Sequence, residues 1–410
     1  MHAPSPAMVI VGAGECGARA AVALREHGWQ GDIVLVGEEP HAPYERPPLS
    51  KTFLTERLDF APNADAARLA ELGILHRSSA RVTRLDLSNR QAILDTDESL
   101  PYHRLLLATG ARARRLGIPG GEAAYTLRTH EDALALRERI RPGCRLVLIG
   151  GGFIGLELAA SAAMMGARAT VLETQPRLLS RNVPADIAAI IEQRHRAAGV
   201  ALHFAATVKR IESADGISVI HLASGASIEA DVVVAGIGAE PNVALAADAG
   251  LETRNGIVVD EHLRASDPHV FAAGDCACFV HPVFGGRRLR LESWRNAQEQ
   301  GELAARNMLD MRARHEAVPW FWSDQYDLCI QIAGLPDMAT VHVDRRPKPE
   351  ALLRFHLDAQ GRLVAASGVG PLGDIARDIR LAEMLIARGA TPDPALLADP
   401  QLRLKSLLAA

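Results

Sequence analysis

Two glycine turns about 140 residues apart constrain this chain more than any other feature. The first stands in Met8-Val-Ile-Val-Gly12-Ala-Gly14-Glu-Cys-Gly17, the second in Arg145-Leu-Val-Leu-Ile-Gly150-Gly-Gly152-Phe-Ile-Gly155. Each follows an apolar run and opens an alanine-rich stretch, which predicts strand, tight turn and helix. The first glycine of such a turn permits the sharp change of direction, the second lets a pyrophosphate approach the backbone, and the third allows the helix to pack on the strand. The helix N-terminus then offers free N–H groups to the phosphates. About 20 residues further on, an acid is expected at the end of the next strand, where it accepts from ribose hydroxyls. Glu38 after Ile33-Val-Leu-Val-Gly37 and Glu173 after Ala169-Thr-Val-Leu172 fill that position. One fingerprint suggests one nucleotide. Two suggest two dinucleotides between which electrons pass.

The length of 410 residues suits two or three domains, and a hydrophobic fraction of 48% supports a large core. A net charge of -4 argues against a general nucleic-acid binder. No apolar stretch reaches the roughly 20 residues needed to cross a bilayer. The N-terminal residues lack a charged segment followed by an apolar one, so a cytoplasmic location is expected. The five cysteines, Cys16, Cys144, Cys276, Cys278 and Cys329, form no C-x-x-C. Their odd, scattered placement suits reduced buried thiols, and Cys276-Ala-Cys278 has no second ligand pair at zinc spacing. No metal site is expected.

The order of elements predicts an α/β protein. Residues 8–38 read as strand, helix, strand. Residues 39–60 are proline-rich and loop-like. Alternating runs around Ala80–Asp86 and Gln91–Asp95 precede a buried strand ending at Ala108-Thr-Gly110. A second module spans about 131–236. Val270-Phe-Ala-Ala-Gly-Asp275 is a further strand end. After Pro319 the composition shifts to a cluster of aromatics, then β-like alternation over 350–369 and a mainly helical tail. The simplest architecture is two Rossmann-like dinucleotide-binding domains, the second inserted in the first, plus a C-terminal α+β domain. The expected ranges are 1–112 with 237–318, 113–236, and 319–410.

These motifs together resemble the FAD-dependent pyridine-nucleotide:disulfide oxidoreductase superfamily. More narrowly, Pro43-Tyr-Glu-Arg-Pro-Pro-Leu-Ser-Lys51, Glu292-Ser-Trp-Arg-Asn-Ala-Gln298 and Trp320-Phe-Trp-Ser-Asp-Gln325 resemble ferredoxin reductases that serve bacterial oxygenases. The similarity runs from residue 8 to about 408. It implies that the first module binds FAD, with Gly12, Gly14 and Gly17 around the pyrophosphate and Glu38 on the ribose. It implies that Arg46, Lys51 and Arg128 lie against the flavin and that Asp275 holds the ribityl chain. Trp294 and Trp322 would sit near the isoalloxazine, and Val82 belongs to the same cofactor site. The second module would bind NAD through Gly150, Gly152 and Gly155. Glu173 would accept from a free ribose 2′-hydroxyl and repel a 2′-phosphate. Glu157 would lie near the nicotinamide and pair with Lys51, and these two are the catalytic candidates. Glu15, between the second and third glycines of the first turn, is expected to point to solvent, because a carboxylate repels a pyrophosphate.

The implied reaction runs from NADH through FAD to a [2Fe-2S] ferredoxin that feeds a terminal oxygenase. Relatives that reduce disulfides use a cysteine beside the flavin, and this chain has Leu49 and Ser50 in that region. The expected terminal oxygenase is an aromatic-ring dioxygenase. A ferredoxin or rubredoxin serving a cytochrome P450 or alkane hydroxylase is the alternative. A non-enzymatic NADH sensor is a third reading. Ferredoxins are generally acidic, so Arg287, Arg288, Arg290 and Arg295 are docking candidates, unless they pair internally with Glu292 and Glu299. Arg377 and Arg380 are the fallback surface.

Overall fold

The computed structural model describes residues 7–56, 60, 62–181 and 183–408. The N-terminal residues on which the leader reading rests lie outside them. The chain divides into two compact units. One comprises Met1–Glu45, Phe60–Arg112 and Glu240–Pro319; the other comprises Arg46–Asp59, Ala113–Ala239 and Trp320–Ala410.

The first unit is built on a sheet whose centre is parallel. Its strands run in the order Leu75–Arg77, Ile33–Val36, Ala7–Val11, Ser99–Leu107 and Val270–Ala272. Val9 pairs with Val34 on one side and with Leu105 on the other. Ala7–Val11 and Ile33–Val36 are buried along their whole length. This explains why they read as unbroken apolar runs rather than alternating ones: a parallel strand is covered on both faces. The N-terminal part of Ser99–Leu107 turns antiparallel against Gln91–Leu94, which pairs with Val82–Asp86. Helix Glu15–Glu26 packs against helix Trp294–Met308 so closely that a Cβ on Gly301 would lie 2.5 Å from the carbonyl oxygen of Cys16. The strand Ala7–Val11 has its successor on one side and a later strand on the other. Its C-terminal end is therefore the switch point at which open α/β sheets take ligands.

The second unit repeats this arrangement. Its parallel strands are Ala201–His203, Arg168–Leu172, Arg145–Ile149 and Val232–Ala235, again with the glycine-turn strand flanked by its successor and a later strand. A three-stranded antiparallel sheet, Val208–Ala214, Ile217–Leu222 and Ser227–Ala230, follows. The C-terminal part is an antiparallel sheet in the order Trp320–Gln325, Leu328–Gly334, Leu363–Pro371, Ala351–Leu357 and Val341–Lys348. Helix Ala376–Ala387 buries Ile379, Ala382, Leu385 and Ile386. Ile375 and Ile379 lie over Gly368, where a Cβ would meet them at 3.1 and 3.4 Å. The architecture is α/β with two Rossmann-like halves and a C-terminal α+β part. Among the described residues no helix is long and apolar enough to cross a membrane.

Candidate functional site

Both glycine turns have the same stereochemistry. Gly12 adopts φ +113° and Gly150 φ +111°, a region that only glycine enters without strain. A Cβ on Gly12 would lie 2.1 Å from the Ala108 oxygen, and one on Gly150 would lie 2.4 Å from the Gly236 oxygen. The third glycines are equally closed: Cβ atoms on Gly17 and Gly155 would lie 1.9 and 2.3 Å from the carbonyl oxygens of Gly12 and Gly150. The middle glycines differ. Nothing stands within 4 Å of a Cβ on Gly14, and one on Gly152 would meet only the Gly236 oxygen, at 4.0 Å. Each middle glycine is the N-cap of its helix, with no side-chain cap, so the first-turn N–H groups face the open side. Two turns are closed by backbone at their first and third glycines and open at the second. That shape fits a pyrophosphate over each.

In the first unit, Glu38 follows the strand Ile33–Val36 and is ion-paired with Arg81. Val82, next to Arg81 in the chain, opens the strand Val82–Asp86 and is buried. Glu15 departs from expectation. It is half-buried rather than turned to solvent, and accepts hydrogen bonds from Asn63 Nδ2 at 3.0 Å and Gln298 Nε2 at 2.6 Å. Burial raises its pKa above the ordinary carboxylate range, with the two amides acting in the opposite direction. Placed in the first helical turn and bound to two amides, the carboxylate is drawn aside along the turn, which is how the sequence tolerates it there.

Asp275 lies in the turn Gly274–Cys276. Gln300 accepts from Gly274 N at 2.8 Å, and Arg290 donates to the Asp275 carbonyl at 3.1 Å. Gln300 Nε2 and Asn296 Oδ1, both buried, have no hydrogen-bond partner among the described residues. Polar atoms buried this way seek a partner, and a bound cofactor satisfies that demand. Trp294 opens helix Trp294–Met308, which Ser293 caps through Asn296 N. Of the docking candidates, Arg290 pairs with Glu292 at 2.6 Å and is almost buried, and Arg295 pairs with Glu299 at 2.8 Å. These two arginines pair internally, the alternative that the sequence left open for them, which takes them out of the docking group. Arg287 and Arg288 are exposed.

In the second unit, Lys51 and Glu157 meet. Lys51 Nζ stands 2.8 Å from the Glu157 carboxylate, whose side chain is only 4% exposed. Two hydroxyls complete the pair: Ser50 Oγ donates to Oε2 at 2.5 Å and Ser323 Oγ to Oε1 at 2.6 Å. A buried carboxylate is costly unless paired and hydrogen-bonded, and here it has a cation and two donors. Local geometry explains the meeting. Phe153, Glu157 and Ser161 recur every four residues on one helix face, and Phe321, Ser323 and Gln325 every second residue on one strand face. Phe153 and Phe321 pack edge to face with ring centroids 4.9 Å apart, which registers the two faces. Ser161 Oγ donates to the Ser50 carbonyl at 2.6 Å and ties the Pro47–Ser50 turn to the same face.

Arg46 Nη1 donates to the Arg128 carbonyl at 2.6 Å, and Arg128 N is held by Asp132 at 2.9 Å in the cap of helix His130–Arg139. Trp322 lies on the opposite strand face from Ser323, stacked on Trp320 at 5.3 Å, with Nε1 donating to Asp324 at 3.1 Å. Glu173 stands beside the second glycine turn. Its Oε2 accepts from Gly151 N at 2.7 Å and its Oε1 from Gln175 N at 2.8 Å. Arg177 turns away, donating to the carbonyls of Leu178 and Ser180 at 3.1 and 3.2 Å. Sequence reasoning missed Ser50, Ser323, Gln300 and Asn296. All but Gln300 lie inside quoted motifs, and for the two serines a hydroxyl flanking a charged or aromatic residue was the available signal.

Residues 6–301 match the family of pyridine nucleotide-disulphide oxidoreductases, and residues 320–408 match the reductase C-terminal family. The chain is 41% identical, over 98% of both chains, to the ferredoxin–NAD(+) reductase component of the anthranilate 1,2-dioxygenase system of Burkholderia cepacia. It is 38% identical to rhodocoxin reductase of Rhodococcus erythropolis, over 97% of this chain and 93% of that one. Among solved structures it resembles the reductase of the covalent putidaredoxin reductase–putidaredoxin complex, with a TM-score of 0.91, 35% identity and 99% of each chain covered.

Proposed function

The chain belongs to the pyridine nucleotide-disulphide oxidoreductase family, and on that premise we propose that it is an NADH-dependent reductase of a [2Fe-2S] ferredoxin serving an aromatic-ring dioxygenase. The observation that carries this reading is the pair of glycine turns, each closed at its first and third glycines and open at its second. The names of the similar proteins support the acceptor: a reductase component of a dioxygenase system, a rhodocoxin reductase, and a reductase caught with putidaredoxin. The likeness to the ferredoxin reductase for the CYP199A2 system of Rhodopseudomonas palustris, at 34% identity over 99% of this chain, favours, as the second reading, a ferredoxin that feeds a cytochrome P450.

FAD, when bound, takes an electron pair from NADH and releases the two electrons singly to an iron–sulfur protein. The remaining work belongs to the chain. We assign FAD to the domain 1–112 with 237–318, through Gly12, Gly14, Gly17, Glu38, Val82, Asp275 and Trp294, and NAD to 113–236, through Gly150, Gly152, Gly155 and Glu173. Arg46, Arg128 and Trp322 serve the flavin end. The ammonium of Lys51 supplies positive charge where negative charge builds on reduction, and Glu157 aims it. No cysteine occupies the Leu49–Ser50 segment, so the electrons leave to an external carrier. Reduced, unpaired thiols fit a cytoplasmic location.

The purified protein is expected to be yellow, with one FAD per chain released by acid, and to bleach with NADH. Turnover is then measured with a [2Fe-2S] ferredoxin, a rubredoxin, a quinone and a disulfide as alternative acceptors. A protein that stays colourless after incubation with FAD, or prefers a disulfide, overturns the reading.

A further inference from the structure

The Lys51–Glu157 pair is the end of a longer line. Gln325 Nε2 donates to Ser323 Oγ at 3.1 Å, so the single proton of Ser323 is committed to Glu157. Gln325 Oε1 lies 2.9 Å from His195 Nε2, and His195 Nδ1 lies 3.2 Å from the hydroxyl of Tyr326. The amide fixes the polarity. Its nitrogen is spent on Ser323, so its oxygen must accept from a protonated Nε2, and the bare Nδ1 then accepts from Tyr326. Every donor in the line therefore points toward Glu157. Burial lowers the His195 pKa, keeping the ring neutral, and burial pushes the Tyr326 phenol up to about 12, keeping its proton. Ser323, Gln325 and His195 are all at most 2% exposed.

A second feature marks the far end as selected for its side chain. Tyr326 adopts φ +57° at the tip of the hairpin between Trp320–Gln325 and Leu328–Gly334. That is a position glycine favours and a bulky aromatic rarely takes. The tyrosine is retained there with its hydroxyl on His195 and its ring 4.1 Å below the Arg194 guanidinium, which in turn pairs with Asp327 at 2.7 Å.

We infer that Ser323, Gln325 and His195 form a polarised donor line that holds Glu157 fixed against Lys51, and so act as positioning residues for electron transfer from NADH to the flavin. The inference rests on the NADH–FAD reading above. The line is not a proton wire, because an amide whose N–H and C=O are both engaged does not relay protons without changing tautomer. Glu157 is the only charged residue of its helix, Phe153–Met164. The titratable groups on the elements packed around it are Lys51 beyond the Pro47–Ser50 turn, Asp324 on the strand carrying Ser323, Cys329 on the next strand, and Arg145 and Arg168, which open the strands Arg145–Ile149 and Arg168–Leu172. Arg145 pairs with Glu229 and Asp231, and Arg168 is exposed. The thiol of Cys329, pushed up to about 12 by burial and by Asp324, stays protonated. Lys51, Ser50 and the donor line thus hold the carboxylate.

Removing one donor loosens the carboxylate against Lys51. With Ser323→Ala, the limiting rate of NADH-driven flavin bleaching, followed by stopped flow, is expected to fall about tenfold, the worth of one charged hydrogen bond, with the NADH concentration at half-saturation unchanged. Ser323→Thr keeps the hydroxyl and should restore the native rate. Gln325→Glu, which cannot donate to Ser323, should lower the rate in the same direction as Ser323→Ala. Where a variant does not fold, nitrogen-15 spectra of the unmodified holoprotein labelled at histidine, differenced against His195→Gln, report the tautomer of the ring directly. A proton on Nε2 supports the line, and a proton on Nδ1 overturns it. Native limiting rates in folded Ser323→Ala and Gln325→Glu also overturn it. An unmodified protein that fails to bleach with NADH refutes the functional reading instead.

Discussion

Glu173 is the single residue on which nucleotide choice rests in this reading. Its carboxylate is held by Gly151 N and Gln175 N at the end of strand Arg168–Leu172. A fixed negative charge there accepts from a 2′-hydroxyl and repels a 2′-phosphate. The protein is therefore expected to prefer NADH strongly over NADPH. Glu173→Ala should narrow the preference by about ten- to a hundredfold, the worth of one charged hydrogen bond at roughly 1.5–3 kcal/mol. Steady-state kcat/KM with both nucleotides decides it, and equal efficiencies in the unmodified protein refute the assignment. The residues legible from sequence were those whose meaning is local: glycines and acids at fixed offsets from a strand. What holds them was not legible. Asn63 and Gln298 reach Glu15 from 48 and 283 residues away, and Ser323 reaches Glu157 across 166. No pattern within either segment announces the other. Hence the sequence reading sent Glu15 to solvent, when distant amides take it, whereas the pairing of Arg290 and Arg295 with the nearby Glu292 and Glu299 was an alternative that the sequence offered.

The strand–turn–helix elements make a sharper claim than the presence of glycines, because the three positions are constrained for different reasons. A methyl on Gly17 would collide with the Gly12 carbonyl at 1.9 Å, so Gly17→Ala must displace the helix from the strand. A methyl on Gly14 meets no protein atom within 4 Å, and Gly14 has an ordinary φ of -86°. Gly14→Ala is therefore expected to fold with a near-native melting temperature and circular dichroism while losing FAD. Gly17→Ala should lose both. Gly152→Ala should stay yellow yet bind NADH weakly, seen as slow bleaching at sub-saturating NADH. A Gly14→Ala protein that retains stoichiometric FAD would show that the pyrophosphate lies elsewhere. At this scale most of the fold could be read from sequence. Buried parallel strands announce themselves as apolar runs, and both modules gave them. The C-terminal strands Leu328–Gly334 and Val341–Lys348 did not. In the first, Ile330, Ile332 and Ala333 are all buried, and in the second exposed charged residues outnumber the buried Val343 and Arg345, so neither shows a clean alternation.

Across the whole molecule, buried neutral histidines set a limit on acid stability, and the two lowered furthest lie one in each unit. In the first, His315 packs against Phe279 and His281 with ring centroids 4.8 and 5.7 Å away, and burial holds its pKa down to about 3, with His281 adding to the effect. In the second, His356 contacts Ser367 Oγ at 3.0 Å and His342 Nδ1 at 3.1 Å, and burial again lowers it to about 3, aided by His342 and Arg354. In the unfolded chain these rings titrate near 6.5. A depressed folded-state value means that the unfolded chain binds more protons between about 3 and 6.5, so the stability contributed by the neutral rings is complete above 6.5 and is lost as pH falls through that window. Each ring is expected to cost roughly 2 kcal/mol between pH 7 and pH 5. The lowered carboxylates, such as Asp231, Asp310 and Asp344, each held down first by an arginine hydrogen bond, act only below that interval. The urea midpoint of the holoprotein should therefore fall from pH 7 to pH 5, before these lowered carboxylates are protonated. His356→Gln, which can still hydrogen-bond Ser367 but does not titrate, should flatten the slope by about one proton's share. A midpoint that is constant from pH 7 to 5 would mean that these rings are solvated or already charged in the folded state.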